Sequence, residues 1–140
     1  MPPRDGAIAS GAVSFKPSRY DGGGVRYLRF RAWLDSVAND AGGIGVIHYE
    51  EIRRHRRHRR RARLWRPARN ADRRGARSVA IAYQGVPVGT IKRFIAGKGN
   101  ADKDAVIAAV RARGFAPADD NEADALAILL WAIETQGGVR

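Results

Sequence analysis

The residues of this chain best suited to chemistry gather near its C-terminal end, where Asp119-Asp120-Asn121-Glu122-Ala123-Asp124 opens onto the apolar run Ala125-Leu126-Ala127-Ile128-Leu129-Leu130. Asn121 and Asp124 are three positions apart and Asp120 and Asp124 four, so either pair shares one face of a helix's first turn. Two such oxygens, joined by a carboxylate from elsewhere, suit a hard divalent cation: Mg²⁺, or Mn²⁺ in its place. Acids and Asn at a helix start also cap it and offset its dipole, so the motif alone fits either role. A second stretch, Gly97-Lys98-Gly99-Asn100, combines glycines that permit positive φ with amides that can nest a phosphate. It lacks the Ser or Thr that follows the lysine of a Walker A loop, and a plain helix-ending loop explains it equally well. A third source of oxygen is Glu50-Glu51, at the end of the β-branched run from Ile44 to Tyr49.

The elements that must position these groups follow from periodicity. Ala7 to Phe15 alternates apolar with small or polar residues and predicts a half-buried strand, preceded by the turn signal Asp5-Gly6. Val25 to Asn39 spaces Leu28, Trp33, Leu34 and Val37 as an amphipathic helix ending at Gly42-Gly43. Ile44 to Tyr49 predicts a buried strand that delivers Glu50 at its C-terminal end, where open α/β sheets bind ligands. Ser78 to Tyr83 predicts another strand, and Val86 to Val88 a Pro-containing turn. Three helices complete the chain: Thr90 to Ala96 with Lys92 and Arg93, Ala101 to Arg113, and Asn121 to Gln136 with Leu126, Leu129, Leu130 and Ile133 facing the core. The pattern is that of an α/β domain spanning the 140 residues.

Charge is concentrated rather than spread. The formal net charge is +12, and the interval from Arg53 to Arg77 alone holds thirteen arginines against one aspartate. Outside it, basic and acidic side chains balance. The interval, interrupted by Pro67, reads as a solvated or DNA-binding arm, and His55 and His58 within it have no carboxylate or Cys companion for a metal site. The three tryptophans show no interleaving with basic residues of the single-strand-binding type. Cysteine is absent, which excludes disulfides, thiolate nucleophiles and Cys-based zinc sites. No apolar run is long enough to span a bilayer and the N-terminus lacks a signal-peptide core, so the expectation is a cytoplasmic protein without a membrane partner.

Four motifs in order resemble one family: Ile47-His48-Tyr49-Glu50-Glu51, Gly85-Val86-Pro87-Val88-Gly89-Thr90-Ile91-Lys92, Gly97-Lys98-Gly99-Asn100-Ala101-Asp102-Lys103, and Asn121-Glu122-Ala123-Asp124-Ala125-Leu126-Ala127. Together they look like the RuvC-like crossover junction endodeoxyribonucleases, particularly their phage-type relatives, which have the RNase H-like fold. The resemblance implies a mixed sheet flanked by helices and a Mg²⁺-dependent endonuclease that resolves branched DNA, such as a four-way junction, as a homodimer. It implies Glu50 and Asp124 as metal-holding acids, with the helix's second acid falling at Asn121 or at Asp120 according to spacing. Lys92, Arg93, Lys98 and Lys103 become the cations expected to meet DNA phosphates, which gives salt-dependent affinity rather than base readout.

Two departures shape the expectation. The family begins with a strand bearing an essential aspartate; here the chain opens with the following turn, so that acid has no counterpart and cleavage is expected to be weak or absent. The Arg-rich interval also replaces a family helix resembling Thr-Asp-Ala-Ala-His-Val-Tyr-Gly-Gly. Codon degeneracy permits a spelling of His58 to Pro67 that encodes this helix when read one nucleotide later, and a spelling of Ala68 to Arg73 that continues with Ala-Thr-Leu-Thr. Roughly Arg56 to Gly75 is therefore expected to be translated out of frame between two compensating shifts. The alternatives are an arginine arm on a non-catalytic nucleic-acid-binding protein and a decayed prophage remnant.

Overall fold

Apolar residues recur at helical spacing most densely after Val88, and the core forms there. The computed structural model describes residues 6–51 and 81–137. In chain order these form α1 (Val25–Ala41), β1 (Val46–Glu51), β2 (Ala82–Pro87), α2 (Val88–Ala96), α3 (Lys103–Ala112) and α4 (Asp120–Gln136). The architecture is mixed α/β, with four helices and a two-stranded sheet among the described residues. The strands run parallel, with Val46 opposite Ala82 and Glu50 opposite Val86. The expected arginine arm, the two histidines within it, Asp5 and the start of the Ser78 strand lie outside the described residues.

Each C-terminal helix buries one stripe. Ile91 and Ile95 of α2, Val106 and Val110 of α3, and Ala123, Leu126 and Ala127 of α4 meet with Val86 of β2 in one cluster. Ala123 and Ala127 are fully buried, and their small side chains let the neighbouring helices approach α4 closely. Each large aliphatic buried in the cluster contributes about 1.5–3 kcal/mol. Around it pack Phe94, Phe115, Leu130 and Trp131.

Several expectations change on this scaffold. Leu129 and Ile133 are 36% and 41% exposed, because the buried stripe of α4 follows Ala123, Leu126, Ala127 and Leu130 instead. Val86 to Val88 is not a turn: β2 runs through Pro87 and α2 begins at once, with Val86 in the core. The segment from Ala7 to Ser18 contains no strand. Alternation alone does not make one, since a strand needs a neighbour for its backbone donors and acceptors, and this segment has no strand partner among the described residues. Helix α1 forms as expected and is closed by Gly42, whose φ of 74° suits glycine, but none of its side chains is buried. Leu28 faces outward, and Trp33, 37% exposed, packs beside Phe15 and Phe30 rather than in the core.

Candidate metal-binding and phosphodiester site

Helix α4 runs back across the sheet, with Ile133 and Gln136 sharing a cleft with Gly45 and Val46 at the start of β1 while Trp131 lies further along it. The rings of His48 and Trp131 meet edge-on with centroids 6.0 Å apart, and Gln136 donates to the Gln84 side chain at 3.0 Å. His48 pairs with Gln84 across the strands, so the C-terminal half of α4 lies over the middle of the sheet. Moving two residues along β1 from His48 reaches Glu50 on the same face, roughly 6.6 Å further on. Moving seven residues back along α4 from Trp131 reaches Asp124, about 10 Å toward the same end. Glu50 and Asp124 thus converge at the C-terminal edge of the strands.

Electrostatics agree with this convergence. Burial raises the Glu50 pKa above the usual carboxylate value, the charge of Asp124 raises it further, and Lys92 pulls it back. Burial likewise raises Asp124, with Lys92 lowering it, Asp120 raising it and Lys103 lowering it. Lys92, on α2 directly after β2, therefore serves both carboxylates. Glu51 projects from the opposite face of β1 and is exposed.

The remaining candidates divide. Lys103 at the start of α3 forms an ion pair and hydrogen bond with Asp120. That bond holds the Asp120 carboxyl below its ordinary pKa and raises Lys103. Asp120 influences Asp124 from one helical turn away, whereas Asn121 points toward a different cleft, lined by Ser14, Phe15, Lys16 and Arg26. Of the two spacings open in the sequence, the four-residue one places its first member in the field of Asp124. The carboxylates and histidines of the described residues include no group of three arranged to hold a metal ion.

The glycine loop is shaped by contacts with α2. A Cβ on Gly99 would lie 3.2 Å from the Arg93 guanidinium and 3.4 Å from the Gly89 carbonyl oxygen, so the loop folds closely over the start of α2. Gly97, at φ 79°, closes α2 with its amide donating to the Arg93 carbonyl at 3.0 Å. Lys98 is exposed beside this turn. Asp102 caps α3, accepting from the Ala105 amide at 2.8 Å. Gly85 has a packing reason as well: a Cβ there would meet the Tyr49 ring at 3.0 Å.

Glu122, which the pattern of candidate ligands bypasses, secures the mouth of α4. Asp119 accepts from the Glu122 amide at 2.8 Å, while the Glu122 carboxylate accepts from the Ala118 amide at 2.8 Å and from the Ser10 hydroxyl at 2.6 Å. The signal was in the spacing Asp119-x-x-Glu122, an acidic form of the capping box. These bonds hold Glu122 below its ordinary pKa and tie residues 7–18 to the helix that carries Asp124.

Comparison with known proteins finds no matching family model, no matching curated protein and no matching solved structure. Among the described residues no helix is long and apolar enough to cross a membrane.

Proposed function

We propose that this chain is a divalent-cation-dependent endonuclease of the RuvC-like, RNase H-like kind, acting on branched DNA such as four-way junctions as a homodimer, with impaired activity. The observation that supports it most is the convergence of Glu50 and Asp124 at the C-terminal edge of the strands, with Lys92 acting on both. Two partly buried carboxylates whose charges oppose one another are a suitable donor set for Mg²⁺ or Mn²⁺, which would relieve the repulsion. When bound, such an ion supplies positive charge to the phosphodiester oxygens and favours ionisation of water.

The chain's own groups have distinct parts in this reading. Glu50 and Asp124 hold and orient the ion, and the Lys92 charge opposes the upward pKa shift that burial imposes on both carboxyls. Arg93, exposed in the last turn of α2, and Lys98, on the turn that follows, bind backbone phosphates. Asp120 is a further oxygen donor when its exposed ion pair with Lys103 opens, and activity is expected to be impaired because no third acid among the described residues completes the group around Glu50 and Asp124. The test is cleavage of a four-way junction by Met1–Arg140 in Mg²⁺, with Asp124→Asn alongside. Slow scission that disappears in the variant is expected, whereas rapid cleavage overturns the impairment.

The thirteen arginines between Arg53 and Arg77 favour a second reading, a non-catalytic nucleic-acid-binding protein. It requires DNA binding without Mg²⁺, indifference to Glu50→Gln and Asp124→Asn, and no cation-dependent scission.

A further inference from the structure

Helix α1 opens with Arg26-Tyr27-Leu28-Arg29-Phe30-Arg31-Ala32-Trp33, in which cations and rings interleave once tyrosine and phenylalanine are counted with tryptophan. The rings have two situations. Phe30 and Trp33 pack on Phe15, with centroids 5.5 and 5.6 Å from it, and pin α1 to the preceding segment. Tyr27 is 49% exposed and Tyr20 80%, with Arg19 lying over one face of the Tyr20 ring at 4.7 Å.

The cations divide similarly. Arg29 is bonded to Asp21 at 3.0 Å and reaches the Lys16 carbonyl. Lys16 and Arg26 instead line an open cleft of about 680 Å³ together with Ser14, Phe15 and Asn121. Its far wall includes Asp119, whose carboxylate is engaged by the Glu122 amide. From Lys16 to Trp33 five cations face one acid, and that acid is paired. An apolar partner would strip water from Lys16 and Arg26 without replacing it. A duplex would satisfy the cations but keeps its base faces stacked. An unpaired strand offers phosphates and free base faces together.

We propose that the exposed face of α1 and the cleft beside it bind single-stranded nucleic acid, with phosphates on Lys16 and Arg26 and unstacked bases on Tyr27 and Tyr20. The surface is separate from Glu50 and Asp124 and needs no divalent cation, so it stands whether or not the chain is a nuclease.

The experiment measures fluorescence anisotropy of labelled oligothymidylate and of a duplex, with the full chain in EDTA across a salt series. Tyr27→Ala is expected to weaken oligothymidylate binding on the order of tenfold while changing duplex binding little. Tyr27→Phe, which keeps the ring, restores affinity and guards against a folding defect. Arg26→Ala is expected to reduce the salt slope by about 0.7. Unchanged affinity and slope in both the Tyr27 and Arg26 variants overturns the proposal and assigns binding to the arginines of 53–77. Equal loss on both nucleic acids, or conversion of a dimer to a monomer by Tyr27→Ala, overturns it also.

Discussion

The charge of Asp124, on the second turn of α4, raises the pKa of Glu50 at the end of β1, although the two residues are 74 positions apart in the sequence. Both are lifted first by burial, and Lys92 lowers both. A carboxyl with a raised folded-state pKa binds more protons when folded than when unfolded. Stability therefore falls as pH rises from the unfolded value through the folded one.

Glu50→Gln and Asp124→Asn should consequently leave the fold intact and stabilise it slightly at neutral pH, by about 1 kcal/mol or less for such partly exposed groups, with a small rise in melting temperature. The gain should fade as pH falls through the unfolded carboxyl range, about 4, and vanish well below it, where the wild-type carboxyls are protonated in both states. Under the proposed nuclease function, the same substitutions should cost roughly 10- to 100-fold or more in junction cleavage. Thermal unfolding and cleavage, measured on the same preparations, separate a site from a structural pair. Loss of stability with each variant would mark the carboxylates as scaffolding.

Lys103 and Asp120 hold one another in an exposed ion pair. Lys103→Ala removes the bond that keeps Asp120 below its ordinary pKa, and also a charge that lowers Asp124. Both carboxyls should then titrate at higher pH, observable as NMR side-chain shifts. At a pH where both remain ionised, the freed Asp120 should improve Mn²⁺ binding, followed by relaxation enhancement of water protons. Lys98→Ala, in contrast, should weaken DNA binding and leave Mn²⁺ binding unchanged. If Lys103→Ala weakens Mn²⁺ binding instead, Asp120 is not a reserve ligand.

Ser10 and Glu122 join residues 7–18 to α4 through one hydrogen bond. Because the folded-state pKa of Glu122 is lowered, its contribution is fully present above the unfolded carboxyl value and is lost as pH falls through the folded one. Ser10→Ala should lower the melting temperature at pH 7 and change it little at strongly acidic pH. Hydrogen exchange should show faster opening of the first turn of α4. A pH-independent loss would point to packing at Ser10 rather than to the carboxylate bond.

Sequence made the helices legible where apolar spacing and stop signals agreed: those expected over 90–96, 101–113 and 121–136 form as Val88–Ala96, Lys103–Ala112 and Asp120–Gln136. Glu50 at a strand end and Asp124 on a helix were also legible as types. Their convergence was not, because it depends on α4 crossing the sheet with Trp131 against His48, a contact no local pattern encodes. Ala7 to Phe15 misled because strand periodicity specifies a face and not a partner. Leu129 and Ile133 misled because α4 is apolar nearly all round, so composition could not single out the stripe that packs.

The arginine interval yields to two measurements that give opposite answers under its two explanations. If a selected arm binds DNA, deleting Arg53–Arg77 should remove thirteen cations and greatly reduce both affinity and salt slope. If the interval is out of frame, its gene should encode Thr-Asp-Ala-Ala-His-Val-Tyr-Gly-Gly one nucleotide later across His58 to Pro67. Restoring that frame between Arg56 and Gly75 should replace most of the net charge of +12 with the family-like helix while strengthening Mg²⁺-dependent junction cleavage. Resequencing decides first, since a shifted frame that does not spell the helix removes the frameshift explanation outright. A frame-restored chain that gains no cleavage would show that the interval was not what limited the Glu50 and Asp124 site.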